Sequence, residues 1–296
     1  MSALLSINRQ PGKVWSFLQY PMTRFFLAVL FVTVPVTLLQ LAAKFAGIVN
    51  RSPLGAALSL FLISATFGGY AFYVRCIERR KVSELSRQGA LLEFGCGIVL
   101  GSALFGATML VLWLMGIWTY SGLIEGSTWV YPLVGALLTA AVEETLVRAI
   151  LFRLLEERLG SWIALGLSAL IFGIMHAFNP GASAISVIAI ALEAGILLAA
   201  AYMLTRRLWF VFGLHAAWNF TEGGIFSTAV SGSKIEGLIG VQFHGNDLLS
   251  GGAFGPEASI VAVAICLLAS AVILVLAKRK GHVVGPFWNN RNHASG

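Results

Sequence analysis

AVEETLVRA, residues 141–149, places two adjacent carboxylates and one guanidinium, Glu143, Glu144 and Arg148, inside a long apolar run. Ionisable side chains are costly in the interior of a bilayer, and where they occur they commonly mark functional sites. Glu144 and Arg148 are four positions apart, so on a helix they share a face and can form an ion pair. Glu143 lies about 100° further round the helix and points elsewhere. The spacing alone leaves open which carboxylate the arginine holds.

The sequence around this segment is that of a helical membrane protein. Of the 296 residues, 58% are hydrophobic and 11% are charged, with a mean hydropathy of +0.84. A soluble domain carries about 25% charged residues. Apolar runs of about 20 residues recur along the chain, which is typical of membrane-spanning helices. We expect an all-α polytopic membrane protein with about eight transmembrane helices in one bundle, at approximately 25–47, 54–75, 90–118, 129–153, 161–179, 183–205, 208–226 and 258–277.

The basic residues predict how the bundle is oriented. Sixteen of the 20 Lys and Arg lie in segments on one side of the predicted spans, whereas only Arg51 and Lys234 lie in segments on the other. This bias predicts that both termini are cytoplasmic. It also accounts for the net charge of +7 without a nucleic-acid partner. We expect a cytoplasmic N-terminal segment at 1–24, a transmembrane domain at 25–277 and a cytoplasmic tail at 278–296. Within the transmembrane domain, residues 227–257 are expected to form an extracytoplasmic loop.

Other ionisable residues lie within the predicted spans. LIFGIMHAFNP contains Phe172 and His176, and GLHAAWNFTEGG carries His215, Asn219 and Glu222 on one helix face. A single histidine in an apolar helix is usually structural. Two histidines on separate helices, together with a surplus carboxylate on a third, favour a site.

Three further acids have less certain roles. Glu193 would either line a cavity or be a protonated acid bonded between helices. Glu222 would either extend the site or reach interfacial water. Neither Glu193 nor Glu222 is among the catalytic candidates. Glu257 is expected to cap the last span. The loop 227–257, rich in Gly and Ser, is either a connector or a segment that folds over a site.

This combination of side chains suits the attack of an activated water on an amide carbonyl. A carboxylate can act as general base, while imidazole and amide groups orient the water or stabilise an oxyanion. The same residue types also bind zinc, which commonly takes three protein ligands and a water. In that alternative the ligands would be Glu143, His176 and His215. The residues themselves leave both mechanisms open.

Three motifs, E-E-x-x-x-R at 143–148, F-x-x-x-H at 172–176 and H-x-x-x-N at 215–219, occur in this order. They resemble those of the CAAX prenyl protease and bacteriocin-processing family (CPBP), which includes Abi-type membrane proteins. The resemblance covers roughly residues 130–226. It implies an intramembrane endopeptidase with an eight-helix fold.

The resemblance also implies a role for each matching residue. Glu143 would activate the water, and Glu144 and Arg148 would support it. His176 would belong to the catalytic centre, and His215 and Asn219 would form the oxyanion-stabilising element.

We therefore expect an enzyme that cleaves a membrane-associated peptide or protein within the lipid bilayer. We expect no nucleic-acid partner and no cofactor, with zinc kept as the alternative. The expected location is the inner (plasma) membrane of a bacterium, as a multi-pass protein. A non-catalytic membrane scaffold or immunity protein that keeps the motifs for packing is the alternative from another functional class.

Overall fold

The computed structural model describes residues 13–49 and 51–288, which are mostly helical. The first twelve residues of the expected N-terminal segment and residues 289–296 of the expected tail lie outside the described residues. In chain order the α-helices are α1 Lys13–Leu18, α2 Pro21–Phe45, α3 Pro53–Tyr73, α4 Ala90–Leu114, α5 Val130–Glu144, α6 Arg153–Met175, α7 Ala184–Ile190, α8 Ile196–Thr205, α9 Leu208–Asn219, α10 Asp247–Ser250 and α11 Ile260–Arg279. The strands are β1 Trp118–Leu123, β2 Ala229–Val230, β3 Ser233–Lys234 and β4 Ile239–Phe243.

Shorter helical segments continue or connect these helices. Four of them are π-helical, a wider winding that shifts the backbone hydrogen bonds by one residue. They are Val74–Glu78, Thr145–Phe152, Ala191–Gly195 and Phe220–Ile225. Two short 3₁₀ turns occupy Ser83–Leu85 and Pro256–Ala258.

Within the described residues, six helices are long and apolar enough to cross a membrane. They are Pro21–Phe45, Pro53–Glu78, Ala90–Leu114, Val130–Met175, Ala184–Thr205 and Ile260–Arg279. The all-α, multi-spanning architecture expected from the sequence is thereby confirmed, while the number eight stays a prediction. The longest segment, Val130–Met175, is interrupted at Gly160, whose φ of 78° and ψ of 168° are not helical.

One end of the bundle, which we call the basic end, is tied together by ion pairs. Glu78 accepts hydrogen bonds from Arg24 at 2.8 Å and from Arg153 at 2.7 Å. Arg80 donates from Nε to the second oxygen of the same carboxylate at 2.6 Å. Since these arginines come from three separate segments, the Glu78 carboxylate links the beginning of α2, the segment that follows α3, and the beginning of α6.

Helix α9 lies at the centre of the bundle because glycines allow its neighbour α4 to approach the backbone. All α9 residues except Trp209 are buried. Gly97 and Gly101 of α4 form a G-x-x-x-G pair, a spacing that lets membrane helices pack closely. A Cβ atom on either glycine would lie 2.2 Å from a backbone oxygen of α9. Gly213 of α9 is equally close to the α4 backbone.

Residues 227–257 fold into a compact layer at the end of the bundle opposite the basic end. Strands β2 and β3 form a hairpin, and β4 pairs with β1 in antiparallel fashion. Gly232 in the hairpin turn donates its N–H to the Phe254 carbonyl at 2.7 Å. Of the two readings of this loop, the structure shows the one in which the segment folds back over the bundle.

The expectation that Glu257 caps the last span is wrong. Ser259 is the N-cap of α11, and its side chain accepts a hydrogen bond from Ala262 N–H. Glu257 is 2% exposed and instead accepts a hydrogen bond from the Ser231 N–H at 2.7 Å. The carboxylate therefore fixes the β2–β3 hairpin rather than a helix end.

Replacing Gly101 by alanine should destabilise the protein by about 1–3 kcal/mol, since the added methyl group meets rigid backbone. The new Cβ would lie 2.2 Å from the Leu214 oxygen and 3.1 Å from the Trp218 nitrogen. The measurement is the thermal unfolding midpoint of the purified protein in detergent.

Gly106 in the same helix provides the matched control, because nothing lies within 4 Å of its added Cβ. Gly106→Ala should leave stability unchanged or raise it by up to about 1 kcal/mol through helix propensity. Equal unfolding midpoints for the two variants would contradict the close packing of α4 on α9.

Candidate active site

The carboxylates of the first motif have different partners. Glu144 is fully buried and pairs with Arg148, whose Nε lies 3.2 Å from one carboxylate oxygen and whose NH1 donates to the other at 3.2 Å. Glu143 lies beside them with 22% of its side chain exposed, and one of its oxygens is buried without a hydrogen-bond partner among the described residues. The arginine therefore holds Glu144, and Glu143 is the carboxylate left free.

Arg148 is fully buried, and the surrounding helices provide contacts for its guanidinium beyond Glu144. Its NH2 lies 3.3 Å from the carbonyl oxygens of Ala194 and Gly195, at the end of the π-helical segment Ala191–Gly195. A π-helical turn leaves backbone carbonyls without their usual helical donors. The ring of Phe172 lies under the guanidinium, 4.5 Å from its Cζ to the ring centroid. A cation is held here by carbonyls, a carboxylate and an aromatic face.

Glu144 also orients His215. Its Oε1 is 2.8 Å from Nδ1 of the imidazole. An ionised carboxylate can only accept a hydrogen bond, so Nδ1 carries the proton. The other ring nitrogen, Nε2, lies 3.9 Å from Glu143 Oε2, which is too long for a direct hydrogen bond. Glu144 thus connects Arg148 to His215 and turns Nε2 toward Glu143.

His176 is oriented by the backbone of its own motif. It lies at the end of α6, where Nδ1 is 2.7 Å from the carbonyl oxygen of Phe172. A carbonyl accepts and never donates, so Nδ1 carries the proton and the lone pair of a neutral imidazole is at Nε2. The F-x-x-x-H spacing therefore provides a fixed tautomer as well as the ring contact of 4.7 Å between Phe172 and His176.

Four of the six candidate residues line one large cavity. The cavity has a volume of about 1000 Å³, and its lining includes Glu143, His176, His215 and Asn219. The remaining two, Glu144 and Arg148, are buried behind Glu143 and His215. The structure therefore brings the three motifs together, as the sequence predicted. Asn219, the last residue of α9, lines the same cavity as the other three residues.

A second, much smaller cavity lies behind the histidines. Its volume of about 20 Å³ is enough for roughly one water molecule. Its lining includes His176 and His215 together with Glu193 and Glu257. Glu193 thus lies at a cavity wall and is also hydrogen-bonded to Cys266 of α11, so both roles that the sequence left open for it have support.

Glu193, Glu222 and Glu257 are all buried near this small cavity. Glu222 is 0% exposed, and its carboxyl group is hydrogen-bonded to that of Glu257. It therefore does not reach interfacial water. Burial raises the pKa of Glu257, which lies outside the long helices, while its hydrogen bonds with Glu222 and from the Ser231 N–H act in the opposite direction.

The sequence did not identify Glu257 and Ser231 as neighbours of the site. Glu257 lines the small cavity, and Ser231 lines both cavities. In the sequence, the only indication was the length of the Gly- and Ser-rich loop 227–257. The loop composition does not predict which of its residues lie over the site. Asn179, directly before Pro180, also lines the large cavity and donates to the Ser231 carbonyl at 3.0 Å.

Zinc was the alternative that the residue types left open. Within the described residues, no group of three His, Cys, Asp or Glu side chains has an arrangement that could hold a metal ion. Glu144 occupies Nδ1 of His215, and the Phe172 carbonyl occupies Nδ1 of His176. A zinc ion at this site would therefore have to bind the Nε2 atoms together with Glu143.

A comparison with protein families gives a match for the central part of the chain. Residues 125–221 match the family described as type II CAAX prenyl endopeptidase Rce1-like. The matched segment includes all six candidate residues, which confirms the resemblance drawn from the three motifs. A search among curated proteins and a search among solved structures each found no match.

Replacing Arg148 by methionine should cost about 3–5 kcal/mol of stability, because it leaves the buried Glu144 carboxylate without its cation. The double variant Arg148→Met/Glu144→Gln should recover part of this loss, since the uncompensated charge is removed. Thermal unfolding of both variants in detergent measures the difference.

The exposed ion pair Arg51–Glu236, with side chains 53% and 71% exposed, provides the control. Arg51→Met should change stability by no more than about 1 kcal/mol. If Arg148→Met proves as mild as Arg51→Met, the buried pair does not support the site.

Proposed function

We propose a specific mechanism, on the basis of the match of residues 125–221 to the family described as type II CAAX prenyl endopeptidase Rce1-like. The protein is an intramembrane endopeptidase that hydrolyses a peptide bond of a membrane-associated protein or peptide, with Glu143 as the general base for the attacking water. The observation that carries the proposal is the free Glu143 carboxylate in a large cavity with His176, His215 and Asn219.

Glu143 and His176 together can hold the nucleophilic water. Both Glu143 and the Nε2 lone pair of His176 accept hydrogen bonds, so one water can donate to both. As the water oxygen attacks the peptide carbonyl, its proton passes to Glu143. Glu143 then gives this proton to the leaving nitrogen when the C–N bond breaks, so the reaction consumes one water and leaves Glu143 ionised again.

His215 and Asn219 can stabilise the oxyanion formed in this attack. The amide of Asn219 is a donor on the cavity wall. His215 provides a second donor at Nε2 in its doubly protonated form, while Nδ1 remains bonded to Glu144. Donors fixed before the reaction lower the barrier most effectively, because they need no reorganisation. The role of Glu144 and Arg148 is then to hold His215 in place.

We further propose eight membrane-spanning segments with both termini in the cytoplasm. In this topology the break at Gly160 would separate Val130–Met175 into two spans that cross the membrane in opposite directions. Helix α9 and its π-helical continuation to Ile225 would provide one more span. This segment is not among the six helices that are long and apolar enough to cross a membrane. With the basic end in the cytoplasm, the large cavity opens on the extracytoplasmic side.

Glu143→Gln should reduce proteolysis by about 10²–10⁴-fold, since the amide keeps the shape of the carboxylate but cannot accept the proton. Mass spectrometry of new peptide N-termini in membranes that contain the wild-type or the variant protein measures this loss. The exposed Glu125→Gln serves as the control and should cleave like the wild type. Cleavage by Glu143→Gln at the wild-type rate would rule out this general base.

The same preparations distinguish the zinc-dependent alternative. We expect wild-type protein to cleave fully in the presence of a strong zinc chelator, with no stoichiometric zinc by elemental analysis. Stoichiometric zinc whose removal abolishes cleavage would replace the proposed mechanism by a metal-dependent one. Biological activity retained in both Glu143→Gln and His176→Ala would instead favour the non-catalytic scaffold.

The proposed topology predicts which loops react from outside the cell. In a background without Cys76, Cys96 and Cys266, a cysteine at Glu125 should react with a membrane-impermeant maleimide in intact cells. A cysteine at Arg87, at the basic end, should react only after the membrane is permeabilised. The reverse labelling pattern would place the cavity on the cytoplasmic side.

A further inference from the structure

The mouth of the large cavity is formed by residues from three separate segments. Lys44 lies at the end of α2, Arg51 lies in the following loop, and Lys234 ends β3. All three are exposed and all three line the cavity that contains Glu143. We call this set of three cations the cavity mouth.

The placement of these cations is unusual for this chain. Sixteen of the 20 Lys and Arg fall in the segments that the sequence predicts to be cytoplasmic, and Arg148 is buried within the bundle. The three that remain are those of the cavity mouth. Basic residues are disfavoured on the extracytoplasmic side during insertion, so topology alone does not account for a cluster there.

The acidic residues near this end do not neutralise the cavity mouth. Glu236 pairs with Arg51 at 2.5 Å. Neither Lys44 nor Lys234 has an ion pair among the described residues, and Glu143 is the only acidic side chain among the described residues of the cavity lining. The cavity therefore carries net positive charge at its mouth, with the reactive carboxylate at a distance.

The length of the cavity wall along α5 suits a short stretch of peptide. Tyr131, near the beginning of α5, and Glu143 both line the cavity and are twelve positions apart. At about 1.5 Å per helical residue the wall between them is about 18 Å long. An extended peptide covers this length with about five residues.

The cavity wall between mouth and base is a mixture of apolar and uncharged polar groups. Leu62, Val134 and Leu138 line it, and Ser59 and Thr139 lie among them. Such a wall accepts uncharged side chains, and the cations of the lining are those of the cavity mouth. The charge that the cavity favours is therefore at the mouth.

We propose that Lys44 and Lys234 form a subsite for a carboxylate of the peptide substrate, about five residues from the bond that is cleaved. The inference rests on the proposed function for the direction of the peptide toward Glu143. The carboxylate is either an acidic side chain or the free C-terminus, which present the same group to an ammonium. Arg51, already paired with Glu236, contributes to the field rather than to a direct contact.

Equilibrium binding tests this subsite separately from hydrolysis. The Glu143→Gln variant is placed in phosphatidylcholine discs, so a bound peptide stays intact. The probes are apolar peptides of Leu, Ala and Ser with an uncharged fluorophore. The first set is amidated at the C-terminus and carries a single Glu. The second set is also amidated and carries Gln in place of this Glu, so it is neutral. The third set carries the same Gln but has a free C-terminus. Fluorescence anisotropy gives the dissociation constants.

Peptides with a carboxylate should bind at least about five-fold more tightly than the neutral peptide, and high salt should remove the difference. Lys44→Gln/Lys234→Gln should abolish the preference, while Lys44→Arg/Lys234→Arg should retain it. Lys81→Gln/Lys278→Gln, which removes the same charge elsewhere, should also retain it. The Glu and free-terminus sets show which source of carboxylate the subsite prefers.

Three results would overturn the subsite. They are equal binding of charged and neutral peptides, absence of peptide binding, and a preference that survives in Lys44→Gln/Lys234→Gln. A preference that disappears when phosphatidylglycerol replaces phosphatidylcholine would assign the cations to lipid headgroups instead. Peptide binding does not require the Glu143 carboxylate, so the subsite and the proposed function can fail separately. Binding of acidic peptides without any cleavage by the wild-type protein would reject the proposed function and keep the subsite.

Discussion

The buried ion pair between Glu144 and Arg148 is the interaction on which the rest of the site depends. Removing a carboxylate and a guanidinium from water costs several kcal/mol per ion. The pair is kept because each partner has further contacts, Arg148 with two carbonyls and Glu144 with His215. The charges thereby link α5, the π-helical segment Ala191–Gly195 and α9. Because Glu144 binds both Arg148 and His215, neither of these side chains neutralises Glu143 directly.

Backbone geometry provides what side chains alone cannot. The π-helical segment leaves carbonyls for Arg148, and the end of α6 lets the Phe172 carbonyl fix the tautomer of His176. Glycines at positions 97, 101 and 213 bring α4 against α9, so that His215 and Asn219 are held by a rigid central helix. Precise placement of a base and an oxyanion donor requires such support.

The charge distribution separates two tasks along the bundle. At the basic end, arginines are held by carboxylates such as Glu78. At the other end, Lys44 and Lys234 line the cavity and have no carboxylate partner within the part of the chain that the structure describes. The first set fixes packing and orientation, while the second leaves its charge available to a ligand. Behind the histidines, the buried acids Glu193, Glu222 and Glu257 add polar groups that no catalytic step proposed for this site uses.

The sequence by itself determined the membrane class and the all-α architecture, and it selected six candidate residues that the structure brings together, because apolar runs and buried charges are local signals. It also favoured the pairing of Glu144 with Arg148, which follows from helical spacing. Only the tertiary structure decided that Glu144 holds His215, that Glu257 fixes the hairpin, and that Lys44 and Lys234 share a cavity mouth. These contacts join residues far apart in the chain, and they depend on helix packing and loop register that no local pattern encodes.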